Sequence, residues 1–248
     1  MTPAAPKILV VDVGGTHVKL LATGQPRRRE FGSGPGLTPR QMMKAIKSLT
    51  ADWSYDFVSI GFPGPVMHGR IVAEPVNLGE GWVGFDFRKA FGHPVRIIND
   101  AAMQALGSYR GGTMLFLGFG TGLGTALVID GTVAPLELAH LPYRKGRTYE
   151  DDVGLRGLER HGKKKWRRHV LDVAKRLTVA LGAEDLVVGG GNAKFLTVLP
   201  PGARLVDNTN AFKGGFRLWA PSSRPLVFPI ERGAAPARPA RPVEATVK

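Results

Sequence analysis

An aspartate that ends an apolar run and leads into a glycine turn is placed to serve a phosphate. Asp12-Val13-Gly14-Gly15-Thr16-His17-Val18-Lys19 has that form near the start of this chain. Glycines between two strands let backbone N–H groups approach an anion with no Cβ in the way, and a threonine hydroxyl adds a donor. The carboxylate of Asp12 suits Mg2+, which takes oxygen ligands and keeps most of its water. A second stretch, Gly118-Phe119-Gly120-Thr121-Gly122-Leu123-Gly124-Thr125, can wrap an anion in the same way. It lacks the long helix of a dinucleotide fingerprint and the Gly-Lys-Ser/Thr ending of a P-loop. Gly189-Gly190-Gly191 follows an apolar strand and leaves backbone open to a nucleotide base or ribose, although ordinary strand-to-helix turns share the pattern.

Asn99-Asp100 follows the apolar run Val95–Ile98. A carboxylate at the C-terminal end of a strand, facing phosphate loops, can take a hydroxyl proton as that oxygen attacks phosphorus. Aspartate also caps helices, and Asp100 before a helical stretch fits both roles. Farther on, Glu137-Leu138-Ala139-His140 and Glu150 offer carboxylates and an imidazole, good partners for sugar hydroxyls that both donate and accept. Pro135 and Pro142 bound that stretch, so a helical metal site of the Glu-x-x-His kind is not expected.

These residues need strands to hold them. Ile8–Val13 is apolar but for Asp12 and ends at Gly14-Gly15, which reads as a buried strand, with Val18–Ala22 as its hairpin partner. Thr38-Pro39 opens a helix with apolar positions at Met42, Met43, Ile46 and Leu49. Phe57–Gly61 and Val95–Ile98 read as strands, Asp86–Phe91 as a short helix and Ala101–Tyr109 as a helix. Strands at Met114–Leu117 and Thr125–Ile129 flank the second glycine loop. Trp166–Leu181 is an amphipathic helix closed by Gly182. Leu186–Val188 and Arg204–Val206 read as strands and Ala211–Leu218 as a helix. A hairpin with a glycine turn thus occurs twice, each opening a comparable run of strands and helices. The pattern predicts two similar α/β lobes facing one another across a cleft. Their expected extents are 1–100 and 101–220, with a Pro/Ala/Arg-rich tail at 221–248 expected to be disordered.

The 248 residues are 43% hydrophobic, enough for a sizeable core, and include 0 Cys, which excludes disulfides and thiolate zinc sites. The six His are spread singly, with no metal-ligand spacing. No apolar run approaches the roughly 18 residues of a membrane span, and no signal-peptide core precedes the first strand, so a cytoplasmic protein without membrane contact is expected. The formal net charge is +14. Between His140 and Arg176, twelve Lys or Arg stand against five Asp or Glu, half of that excess; the tail adds +3. Such a balance attracts polyanions. Arg144, Lys145, Arg147, Lys163, Lys164, Lys165, Arg167 and Arg168 either track a linear polyanion toward the phosphate loops or coat the solvent face of a helix.

Taken in order, five segments resemble the ROK family of sugar kinases and repressors, within the hexokinase–actin–heat-shock ATPase superfamily. They are Asp12–Lys19; Gly61–Val66 with Asn77-Leu78 and Trp82 behind it; Asn99–Ala101; Gly120–Gly131; and Val188–Gly191. The resemblance covers about Lys7 to Trp219. It implies an α/β fold of two actin-like ATPase (ribonuclease H-like) lobes with an active-site cleft between them, and a phosphotransferase acting on a hexose. By resemblance, Asp100 is the general base toward the 6-hydroxyl, and Asn99, Glu137, His140 and Glu150 hold other sugar hydroxyls, with Asn77 a further candidate. Asp151 competes with Glu150 for the last of these places. Gly14, Gly15, Thr16, Lys19, Gly120, Thr121 and Gly122 hold donor phosphates, Gly189–Gly191 the nucleotide, and Asp12 organises Mg2+. Most relatives carry a cysteine-rich zinc loop after the His; Leu141–Tyr149 is short and has no Cys, so no zinc is expected. Zinc-free members resemble polyphosphate glucokinases, which take inorganic polyphosphate as donor, sometimes beside ATP. The absence of a helix-turn-helix before the first strand argues against a repressor, nucleic acid is not an expected partner, and relatives are commonly homodimers. Two alternatives remain: a strictly ATP-dependent hexokinase for another hexose, and a non-catalytic polyanion-binding protein of the same fold.

Overall fold

The structure is a computed structural model describing residues 6–220; the tail expected to be disordered lies outside the described residues. In chain order the first lobe comprises β1 (Ile8–Val13), β2 (His17–Ala22), β3 (Arg29–Gly32), α1 (Pro39–Leu49), β4 (Phe57–Phe62), a ribbon of β5 (Val66–Met67) and β6 (Arg70–Ile71), α2 (Phe87–Phe91) and β7 (Val95–Asn99). There follow α3 (Asp100–Ser108), β8 (Thr113–Phe119), β9 (Leu123–Ile129), β10 (Thr132–Leu136), α4 (Tyr149–Val153), α5 (Leu155–Ala180), β11 (Asp185–Gly189), β12 (Ala203–Leu205) and α6 (Asn210–Arg217).

The two main sheets have the same topology. The first runs β3-β2-β1-β4-β7 and the second β10-β9-β8-β11-β12. In each, a three-stranded antiparallel meander is extended by two parallel strands. Side chains of β1 alternate between two cores: Leu9, Val11 and Val13 enter one, Ile8 and Val10 the other. Both faces are covered, so the run is apolar but for Asp12 rather than alternating. The same holds for β8, where Leu115, Leu117 and Phe119 face one core, and Met114 and Phe116 the other. Helices α1 and α2 cover the outer face of the first sheet, and α5, through Trp166, Val170, Val173 and Leu177, covers that of the second. Between the sheets lie α3 and α6.

Those two helices cross at glycines. A Cβ on Gly107 would fall into the Asn210 carbonyl, and one on Gly214 into the Met103 carbonyl, so the backbones approach as only glycine permits. The end of α6 is tied back to the first lobe. Ser59 Oγ donates to the Gly215 carbonyl at 2.6 Å, Trp219 Nε1 donates to Ser59 Oγ at 3.0 Å, and the Trp219 and Phe57 rings lie 4.4 Å apart.

Helix α1 starts as expected, with Pro39 at its first position and Thr38 and Gln41 forming a capping box. The glycine hairpins are tighter than the sequence suggested. Only Gly120–Gly122 lie outside β8 and β9, as only Gly14–Thr16 lie outside β1 and β2. Helix α5 begins at Leu155, eleven residues before Trp166, and breaks at Gly162 (φ 66°, ψ 162°). The short edge strands β3 and β10 and the five-residue α4 escaped the periodicity because each is brief, β3 and α4 being largely polar and β10 carrying Pro135. Among the described residues no helix is long and apolar enough to cross a membrane.

Candidate active site

The parallel strands β4 and β7 end beside β1, which brings three candidate segments together. Asp12 pairs in register with Lys19 on one side and Gly61 on the other, and the Lys19 ammonium stands 4.0 Å from its carboxylate. Asp12 is buried, and burial raises its pKa against the opposing pull of Lys19 and Arg28. Asp100 opens α3, but the helix cap is Asn99, whose Oδ1 accepts the Ala102 N–H at 3.2 Å. The expected capping role of Asp100 therefore passes to its neighbour. Asp100 Oδ1 accepts the adjacent Ala101 N–H at 2.7 Å. Burial, the nearby Asp12 carboxylate and, more weakly, Glu137 push Asp100 up to about 7 against that hydrogen bond. Its surroundings are tight. Gly61 leaves room for the Met103 side chain one turn along α3, and a Cβ on Gly124 would stand 2.8 Å from that of Ala101. The second glycine hairpin is thus seated against the start of α3.

Each hairpin presents three loop residues. Gly14 N–H donates to the His17 carbonyl at 3.0 Å and Gly120 N–H to the Gly122 carbonyl at 3.0 Å, closing two similar turns with Thr16 and Thr121 exposed at their tips. Gly190, at φ 86°, lies against the Phe119 backbone, and Asn192 donates its side-chain amide to the Gly120 carbonyl at 2.8 Å. Gly189–Gly191 therefore adjoin the second hairpin. Asn192 was not singled out in the sequence, and a lone Asn after a glycine run gives no signal.

The candidate sugar partners come from both lobes. Asn77 lies against the first hairpin, where a Cβ on Gly15 would stand 3.4 Å from its own. Its loop is ordered by Glu74, whose carboxylate accepts the Trp82 and Val83 N–H groups at 3.0 Å each. Asn99 spends one amide hydrogen on the Gly64 carbonyl at 3.2 Å, leaving the other available. Glu137 and His140 are exposed and 3.7 Å apart, flanking a single 3-10 turn at Leu138–His140. Buried Thr125 holds that turn, donating to the Leu136 carbonyl at 2.6 Å and accepting the Leu138 N–H at 3.3 Å. Glu150 lies on the second hairpin, accepting the Leu123 N–H at 3.3 Å beside Gly122. Its competitor Asp151 instead completes a capping box with Thr148.

The basic row divides in two. Arg144 pairs with Asp172 at 3.0 Å, Arg147 with the buried Asp152, and Arg167 Nε donates to the Phe195 carbonyl at 2.6 Å, so these three are committed internally. Lys163 lies 4.6 Å over the Phe195 ring yet remains exposed. Lys145, Lys164, Lys165 and Arg168 are exposed and have no ion-pair partner among the described residues. Two histidines read as isolated in the sequence, His161 and His169, in fact stack at 4.7 Å next to Asp152.

Two lobes of equal topology, with strand-end acids and glycine hairpins converging between them, define a phosphotransferase of the actin-like ATPase fold. The chain belongs to the ROK family, whose model matches residues 8–135, just over half of its length. A polyphosphate glucokinase of Mycobacterium tuberculosis is 28% identical over 203 residues, covering 73% of this chain and 76% of that protein. An inorganic polyphosphate/ATP-glucomannokinase from Arthrobacter sp. strain KM superposes with a TM-score of 0.72 at 23% identity, covering 86% of this chain and 97% of that one. A ROK family glucokinase from Streptomyces griseus, in complex with glucose and AMPPNP, gives a TM-score of 0.68 at 17% identity, covering 86% and 98%.

Proposed function

We propose that the protein is a glucokinase, transferring a phosphoryl group from polyphosphate, ATP or both to the 6-hydroxyl of glucose, with Asp100 as general base. Its main support is the meeting of Asp100 with Asp12, Glu137 and the second glycine hairpin at one point between the lobes. A carboxyl held near 7 accepts a hydroxyl proton more readily than an ordinary aspartate and is still substantially ionised at neutral pH. Asn77, Asn99, Glu137, His140 and Glu150 hold and orient the sugar so that its 6-hydroxyl faces Asp100. The N–H groups and threonine hydroxyls of Gly14–Thr16 and Gly120–Gly122, with Lys19, hold the donor phosphates. Closure of the lobes excludes water that would otherwise accept the phosphoryl group.

The residues also fit Mg2+. Asp12 is a hard oxygen donor, its charge is only partly offset by Lys19 at 4.0 Å, and a cation beside it would ease its repulsion with Asp100. Mg2+ held by Asp12 would neutralise charge on the donor phosphates.

For the donor, exposed Lys145, Lys163, Lys164, Lys165 and Arg168 support a polyphosphate path, while Gly189–Gly191 beside the second hairpin suit a nucleotide. Pure protein with glucose, Mg2+ and polyphosphate is expected to yield glucose 6-phosphate. Product with ATP alone would reduce the basic row to ordinary surface, and no product with either donor would favour a polyanion-binding protein. Reversing the charge of Lys163, Lys164 and Lys165 together is expected to raise KM for polyphosphate about tenfold or more while KM for ATP stays within about twofold.

A further inference from the structure

A buried charged cluster lies where α4 meets α5, apart from the catalytic residues. Asp152 is fully buried, a costly place for a carboxylate unless its oxygens are engaged. Arg147 Nε reaches both of them, at 3.0 and 3.2 Å, and His161 Nε2 lies 2.6 Å from Oδ1. Arg160 stands off at 4.0 Å. His169, stacked on His161, meets the Tyr143 hydroxyl at 3.1 Å, and that hydroxyl donates to Asp172 at 2.7 Å. Burial opposes ionisation of Asp152, but His161 and Arg147 prevail and hold its carboxyl below the usual range.

Donor atoms of Asp152, His161 and His169 lie within 4.8 Å of one another, a set that in other surroundings would admit a transition metal. Arg147 decides against it. Its guanidinium already spans both carboxylate oxygens, and a dication would meet that fixed charge at close range.

What the cluster joins gives it a purpose. Arg147 belongs to the turn that follows His140 and is closed by the Pro142–Thr148 bridge. Asp152 is two residues beyond Glu150 on the same short helix. His161 precedes the break at Gly162 and His169 follows it. The main chain beside Asp152 is fixed separately: Trp166 Nε1 donates to the Val153 carbonyl at 2.8 Å, and Gly157 leaves room for the Asp152 carbonyl. The carboxylate is therefore spent on the loop and on α5.

We propose that Asp152 is a positioning residue: through Arg147 and His161 it holds the turn after His140 and helix α4 in one arrangement, and with them the Glu137–His140 pair and Glu150. This role rests on the sugar-side assignment above. The clamp is ionic and works without a metal.

The test uses the full chain. Asp152→Asn keeps the volume and removes the charge that Arg147 and His161 engage. Sugar KM is expected to rise about tenfold to a hundredfold, since small displacements of positioning groups are costly, with kcat and donor KM within about threefold. His161→Phe keeps a ring and loses the hydrogen bond; a rise of about three- to tenfold is expected, and it carries the test if Asp152→Asn does not fold. Arg147→Lys should retain most of the wild-type sugar affinity where Arg147→Met does not. An unchanged sugar KM in folded Asp152→Asn overturns the clamp. So does a wild-type enzyme whose sugar KM rises after chelation and desalting, assayed with Mg2+, and recovers with Zn2+ alone. Glu137→Gln, run beside these, separates the two levels. If it leaves sugar KM unchanged, the sugar-side assignment falls and the clamp's purpose with it; if Asp152→Asn alone is silent, only the clamp falls.

Discussion

The two lobes share a sheet order and a pairing sense, yet their strand ends carry opposite chemistry. β1 bears Asp12 one residue before its end; β8 bears Gly118 there, and the residues across each hairpin are Lys19 and Gly124. β7 hands over to Asn99-Asp100. The first lobe's strand ends thus bring Asp12 and Asp100 to the meeting point, while the second lobe brings glycines at the matching positions, the sugar-side carboxylates Glu137 and Glu150, and an outer surface rich in cations. Topology sets where groups converge, and the residues at the strand ends set what they do there. The acids are costly to hold together: burial and then the Asp12 carboxylate make Asp100 reluctant to ionise, a strain that a binding module would have no use for.

Breaking the asymmetry should be most damaging at Asp100. Asp100→Asn is expected to lower kcat by about 10³-fold while the sugar dissociation constant, read by calorimetry, stays within about threefold. Asp12→Asn should lower turnover by roughly 10²-fold, with a higher Mg2+ requirement in steady-state assays.

The lobes also share a crossing point, and it can be tested separately from the chemistry. Gly107→Ala pushes a methyl group into the Asn210 carbonyl, and a loss of about 1–3 kcal/mol in denaturant unfolding is expected. Asp100→Asn should act in the other direction on stability. A carboxyl whose pKa rises on folding favours the folded state at low pH and loses that advantage as pH rises through about 7, so removing it should stabilise the protein at pH 8, by about 1–2 kcal/mol.

Much of this was legible in the sequence, and for local reasons. Apolar runs ended by glycines mark β1, β8 and β11, because a strand buried on both faces needs no polar alternation. Asn99-Asp100 was visible as a strand-end pair, but either residue can cap a helix, and only the backbone decided that Asn99 does. Gly124 read as part of an anion loop; its close approach to Ala101 is a long-range contact that no spacing announces. Thr125 and Glu74 hold loops through hydrogen bonds set by tertiary packing. The Asp152 cluster was the least legible. Its members come from a turn, a five-residue helix and both sides of a break at Gly162, so they share no single period.

The titration of Asp100, read in the pH dependence of kcat/KM for glucose and by NMR in wild type beside Asp12→Asn, bears most directly on Asp100 as a base strained by Asp12. The ionised carboxylate is the active form, so activity should climb with pH on an acid limb whose midpoint lies at about 7 in wild type. In Mg2+-free protein, where no cation offsets Asp12, the Asp100 carboxyl followed by NMR should titrate at lower pH in Asp12→Asn than in wild type, because a repelling charge is gone. A wild-type activity profile that is flat from about pH 5.5 to 8, or an Asp100 titration midpoint shared by both Mg2+-free proteins, would contradict it.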